Sequence, residues 1–119
     1  MASDPIKILI VDDDEDVLIE LQHLLEDEGY STVTAWSGRE ALEASEKGEF
    51  DLLLVDEYLG DIDVGALWAE LVRRQPKAFR FLMHTRTESG QKPELGSYGE
   101  VCKWEHADVK EKIRSLLAA

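Results

Sequence analysis

The chain has 119 residues, 44% of them hydrophobic, enough for one domain over residues 1–119 with one core and too few for a second folded unit. Its 26 acidic residues against 13 basic give a formal net charge of −13, a field that repels nucleic acid and anionic lipid and argues against direct contact with either. The single cysteine, Cys102, forms no internal disulfide, residues 1–5 lack the basic and apolar regions of a leader, and no apolar run approaches the roughly 20 residues needed to span a bilayer, so a soluble chain in a reducing cytoplasm is expected.

Residues 6–11, apolar but for Lys7, read as a buried parallel strand. From Val17 the period changes to that of a helix, with Val17, Leu18, Leu21, Leu24 and Leu25 on one face and Gly29 at the position of a left-handed cap. Residues 32–35 predict a second strand, and Ser37-Gly38-Arg39-Glu40 matches a capping box opening a second helix that runs to Gly48. Residues 50–55 predict a central strand. Residues 63–75 predict a third helix with Leu67, Trp68, Leu71 and Val72 inward, Arg73 and Arg74 at its negative end, and Pro76 as a stop. Residues 79–84 supply a fourth strand. The polar stretch 86–99 carries Gly90, Pro93, Gly96 and Gly99 and has no apolar face, so its helix is expected to be short or irregular. Residues 101–103 predict a fifth strand, followed by a helix with Val109, Ile113, Leu116 and Leu117 inward. Strands alternating with helices indicate an α/β fold: a doubly wound, five-stranded parallel sheet of flavodoxin-like (βα)5 type, strand order 2-1-3-4-5, with right-handed crossovers.

Asp12-Asp13, Asp56, Thr85 and Lys103 each fall at the carboxyl end of a different predicted strand, the edge at which open α/β sheets bind ligands. In the order 2-1-3-4-5 the first and third strands are neighbours. Their terminal carboxylates then converge, with Thr85 and Lys103 on the other side of one cavity. Crowded carboxylates repel one another, and a divalent cation with a preference for hard oxygen ligands relieves this. Magnesium suits a shallow cleft, with Asp13 and Asp56 as direct ligands and Asp12 acting through water. The Asp56 carboxylate can also attack phosphorus to form an aspartyl phosphate, with Lys103 neutralising its oxygens and the Thr85 hydroxyl donating to one of them.

Over Ile8-Leu9-Ile10-Val11-Asp12-Asp13-Asp14, Leu53-Leu54-Val55-Asp56-Glu57-Tyr58-Leu59-Gly60, Phe81-Leu82-Met83-His84-Thr85 and Val101-Cys102-Lys103, the sequence resembles the receiver domain of two-component response regulators, of the CheY-like type. The resemblance covers essentially the whole chain. It implies a phosphoprotein switch, not an enzyme acting on separate substrates. The donor is a histidine kinase or phosphotransfer protein, and output passes to a downstream protein target or to an effector domain not present here. It also implies metal ligation by the main-chain carbonyl of Tyr58, two residues past the acceptor.

Against that pattern, Gly60 stands where the family usually has proline, giving a looser loop, and Arg86 stands where a small residue normally follows the threonine. Trp104 replaces the proline whose peptide with the lysine is usually cis; a cis bond before a non-proline residue costs about 2.5–4 kcal/mol, so a trans Lys103–Trp104 bond is expected. Glu100 occupies the place of the usual switch aromatic. These departures define the alternative reading: a receiver-like module that binds a protein with atypical or phosphorylation-independent output.

Other patterns are set aside. An EF-hand loop beginning at Asp12 fails at Val17 and His23, where glycine and glutamate are required. A haloacid-dehalogenase motif fails at Asp16. Asp14, Glu15 and Asp16 read as helix-start residues, Trp36, Trp68 and Trp104 as packing residues, Cys102 as a small buried hydrophobe, and Lys110, Lys112 and Arg114 as a solvated face.

Overall fold

A computed structural model describes residues 5–84, 99–102 and 105–118. Five strands, β1 (Lys7–Val11), β2 (Ser31–Ala35), β3 (Leu52–Asp56), β4 (Phe79–His84) and β5 (Gly99–Cys102), alternate with α1 (Glu15–Asp27), α2 (Gly38–Lys47), α3 (Val64–Arg74) and, after β5, α4 (His106–Ala118). The strands make one parallel sheet in the order β2-β1-β3-β4-β5, as expected from the strand–helix alternation. The short or irregular helix expected before the fifth strand falls on residues 85–98, outside the described residues. The fifth strand itself runs Gly99–Cys102 where residues 101–103 were expected.

Continuous apolar runs build the centre of the sheet because both of its faces are covered. In β1 and β3, the period-2 alternation sends Ile8, Ile10, Leu52 and Leu54 to one side, where they meet Val17, Leu18, Leu21 and Leu25 of α1 and Val109 and Ile113 of α4. Leu9, Val11, Leu53 and Val55 go to the other side, against Ala41 of α2 and Leu67, Trp68 and Leu71 of α3. Each face is tied further by side chains. Arg114 reaches Glu28 at 2.6 Å, and Arg74 bonds both Glu46 at 2.8 Å and the Leu42 carbonyl at 3.1 Å.

Local chemistry sets the helix ends. The Asp14 carboxylate accepts from the Asp16 N–H at 3.0 Å and caps α1, the role its position implied. Gly29 has φ +93°, the left-handed geometry in which a Cβ is strained. At α2 the box is shifted by one residue. Ser37 Oγ accepts from the Glu40 N–H at 3.0 Å, but Glu40 Oε1 accepts from the N–H of Trp36, not that of Ser37.

β3 begins at Leu52, two residues later than its apolar run, because the Phe50 N–H is taken by the side chain of Gln75. Trp68 is 1% exposed, and its indole Nε1 is buried with no hydrogen-bond partner among the described residues. A buried unpaired N–H costs about 1–3 kcal/mol, which offsets much of the packing the ring contributes. Trp68→Phe is therefore expected to lower stability by no more than about 1 kcal/mol in urea denaturation, against about 3–5 for Trp68→Ala. A loss in Trp68→Phe close to that of Trp68→Ala would show that the indole N–H has a partner.

Candidate functional site

Parallel pairing in register brings the acidic residues together. Val11 is the partner of Val55, so the residues that follow each of them, Asp12 and Asp56, emerge side by side at the carboxyl ends of β1 and β3. The chain stays tied to its neighbours just there: the Asp12 N–H donates to the Ala35 carbonyl at 3.1 Å and the Glu57 N–H to that of Met83 at 2.9 Å. Asp12 and Asp56 are 0% and 5% exposed, while Asp13 faces solvent. Asp12 Oδ1 accepts from the Asp14 N–H at 2.9 Å, which orients that carboxylate.

One carboxylate oxygen from each of Asp12, Asp13 and Asp56 lies within 4.8 Å of the others. At that separation two unit charges repel by about 3 kcal/mol at an effective dielectric of about 20. The arrangement is all-oxygen, anionic and open on the Asp13 side. Such a donor set fits a hard divalent cation that keeps part of its water shell.

Of the other expected site residues, Tyr58 is described, with its side chain 76% exposed at the start of the loop leading to α3. Thr85 and Lys103 lie outside the described residues, as do Arg86, Trp104 and the Lys103–Trp104 peptide. The residues immediately before the expected pair, His84 and Cys102, are register partners on β4 and β5. Glu100 belongs to β5, opposite Leu82. Cys102 is 4% exposed, in keeping with a small buried hydrophobe.

Two features beside the site were not foreseen. Trp36, expected to pack, is 63% exposed. It falls between the last residue of β2 and the cap of α2, where no element among the described residues covers it, and with Asp13, Leu18 and Ile19 it lines a cleft of about 410 Å³. The second is Asp61, five residues past Asp56, whose carboxylate accepts from the N–H groups of Gly38 at 2.9 Å and Arg39 at 3.0 Å. Only a long-range pairing reveals it, since Gly38 and Asp61 are 23 residues apart.

The Gly38 amide, and then the Arg39 amide, hold the Asp61 carboxyl below its usual range. A carboxyl depressed in the fold stabilises it above the pKa of the unfolded chain and loses that contribution as pH falls through the folded value. The Gly38 and Arg39 amide shifts are thus expected to stay constant from pH 8 to pH 5 and to move only below about pH 4. A transition near neutrality in an NMR titration would contradict this.

Residues 8–98 match the response regulator receiver domain family. The chain is 38% identical over 116 residues to the alkaline phosphatase synthesis transcriptional regulatory protein PhoP of Bacillus subtilis, a match covering 93% of this chain and 48% of PhoP. It therefore spans about half the length of that relative. Its fold is similar to that of a CheY-like response regulator receiver domain protein from Methanospirillum hungatei, with 27% identity, a TM-score of 0.85, and coverage of 97% of this chain and 95% of that one. The response regulator TrrA of Thermotoga maritima is also similar. Solved with Mg2+-BeF, it gives 26% identity and a TM-score of 0.81, covering 93% of this chain and 98% of that one. Solved with the histidine kinase ThkA, the match has 27% identity and a TM-score of 0.82, covering 94% and 98%. Among the described residues no helix is long and apolar enough to cross a membrane. With a family match that starts in the first strand and ends at the residue before the fifth, this chain belongs to the response regulator receiver domains.

Proposed function

We propose that Asp56 accepts a phosphoryl group from a histidine kinase or phosphotransfer protein in a Mg2+-dependent reaction, and that the product alters protein–protein contacts. The observation that carries this reading is the convergence of Asp12, Asp13 and Asp56 within 4.8 Å at the carboxyl ends of β1 and β3. Similarity to TrrA, solved with Mg2+-BeF and with a histidine kinase, supports the choice of metal and donor.

An Asp56 carboxylate oxygen attacks phosphorus while the bond from phosphorus to the donor's imidazole nitrogen breaks, and the imidazole leaves with the bonding pair. Asp13, Asp56 and the main-chain carbonyl of Tyr58 would hold the metal directly, with Asp12 acting through its bound water. When bound, Mg2+ neutralises charge on the phosphoryl oxygens and on the crowded carboxylates. The Thr85 hydroxyl donates to one phosphoryl oxygen, and the Lys103 ammonium balances another. The chain is then a switch that catalyses only its own phosphorylation and dephosphorylation. The cleft lined by Asp13, Leu18, Ile19 and Trp36 leaves the site approachable from the α1 side.

The same reading takes residues 1–119 as one receiver domain, because β5 and α4 complete the sheet and the packing against α1 beyond the family match. It places the protein in the cytoplasm, with output through a downstream protein or an effector domain, as the greater length of PhoP suggests. The formal charge of −13 disfavours direct contact with nucleic acid.

The test is intact mass after incubation with a small phosphodonor and Mg2+. Wild type should gain one phosphoryl group that chelation prevents, and Asp56→Asn should gain none. An adduct that survives Asp56→Asn would overturn the assignment. No adduct on wild type would favour the constitutive binding module.

A further inference from the structure

The loop from β3 to α3, residues 57–63, carries the main chain directly downstream of the acceptor. Its ends are fixed. The Glu57 N–H donates to the Met83 carbonyl at 2.9 Å, and Asp63 caps α3 by accepting from the Ala66 N–H at 3.1 Å. Between them Tyr58 is 76% exposed, and among the described residues, chain neighbours aside, no atom lies within 4 Å of where a Cβ on Gly60 would be. Leu59 and Ile62 rest against the core cluster on the α2 and α3 side, but apolar contact is non-directional and does not set the orientation of a peptide group.

Among the described residues Asp61 supplies a directional tie to a distant segment. Its Oδ1 accepts from the Gly38 N–H and its Oδ2 from the Arg39 N–H, two of the otherwise unpaired amides in the first turn of α2. Ser37 already caps that helix through the Glu40 N–H, so Asp61 supplements the cap of α2 while giving the loop its polar anchor. The fit is close: a Cβ at Gly38 would run into Ile62 Cγ2, so a larger residue there would force that side chain or the loop to shift.

We propose that Asp61 is a positioning residue for the acceptor site. By fastening the loop to the N-terminus of α2, it holds the peptide of Tyr58 where its carbonyl can serve the metal. This inference rests on the reading of Asp12, Asp13 and Asp56 as the Mg2+ site. It assigns to α2, which contributes no ligand, a part in the affinity of that site.

Calorimetric titration with Mg2+ alone tests it on wild type, Asp61→Ala, Asp61→Asn and Ser37→Ala, with hydrogen exchange at the Gly38 and Arg39 amides as the structural readout. Asp61→Ala should bind Mg2+ about 10-fold more weakly, the size expected for losing a group that orients a metal ligand. Its Gly38 and Arg39 amides should lose protection. Asp61→Asn, which keeps one acceptor oxygen, should fall between. Ser37→Ala weakens the same helix end without freeing the loop, so its Mg2+ affinity should stay within twofold of wild type. Equal loss in Ser37→Ala and Asp61→Ala, or Asp61→Ala within twofold of a wild type that binds, would overturn this inference alone. A wild type that binds no Mg2+ would overturn the metal-site reading and this inference with it.

Discussion

Asp13→Ala is expected to reverse its stability order against wild type according to whether Mg2+ is present. Asp13 faces solvent, so its truncation removes charge and little packing. In the metal-free protein it relieves repulsion from Asp12 and Asp56, whose oxygens lie within 4.8 Å of its own. Coulomb's law gives about 3 kcal/mol for such a pair at an effective dielectric of about 20, falling to about 1 in water, and the exposure of Asp13 favours the lower figure. A gain near 1 kcal/mol raises the melting temperature of a domain this size by roughly 3–6 °C.

With Mg2+ at about 100 times the wild-type dissociation constant, wild type gains about 2.7 kcal/mol by mass action. Asp13→Ala, with affinity reduced about 100-fold or more, gains little. Its phosphorylation at the same Mg2+ concentration should fall in proportion. Melting curves by circular dichroism, in chelator and in Mg2+, check both halves. A variant less stable than wild type in chelator, or an equal Mg2+ shift in both proteins, would sink the account. The expected pattern has a general cause: a site built to hold a cation stores like-charge repulsion until the cation arrives.

Gln75→Ala is expected to cost about 3 kcal/mol. Gln75 is 5% exposed. Its Oε1 accepts from the Phe50 N–H at 2.9 Å, and its Nε2 donates to the carbonyls of Ser45 at 3.0 Å and Gly48 at 2.8 Å. One amide thus joins the end of α3, the end of α2 and the approach to β3. Its removal leaves three main-chain groups short of a partner in a place with little water, each worth on the order of 1 kcal/mol.

Gln75→Met separates the polar loss from the cavity, because it keeps the length and loses both amide atoms. It should retain most of the destabilisation in urea unfolding, and a Met variant within about 1 kcal/mol of wild type would refute the hydrogen-bond account. Phe50 and Asp56 stand at opposite ends of the β3 region, so the folded fraction of either variant should bind Mg2+ and accept phosphate as wild type does.

Much of the fold follows from short-range pattern. Runs such as Ile8-Leu9-Ile10-Val11 and Leu52-Leu53-Leu54-Val55 are apolar at every position because both faces of a parallel sheet are covered, and their helical neighbours show one apolar stripe each. Asp12 and Asp56 stood out because each directly follows such a run, with Asp13 next to the first. A parallel sheet puts every strand end on one edge, so the order 2-1-3-4-5 brings them together. For the same reason the Asp14 cap could be read locally: its acceptor and donor are two residues apart.

What only the tertiary structure decided has the opposite property, a partner distant along the chain. Trp36 is exposed because no element among the described residues lies over the turn after β2, a fact about neighbours that its own chemistry does not carry. Gln75 read as the end of a helix, yet its amide closes on residues 25 to 30 positions away. Asp61 lies between a predicted strand and a predicted helix with no local signal, yet it holds the start of α2. Among the described residues, sequence by itself determined the order of strands and helices and the acidic group around Asp56, since periodicity and strand ends depend on adjacent residues. Tertiary structure decided how the loop after Asp56 is fastened, since hydrogen bonds between segments form only once the sheet has set their spacing.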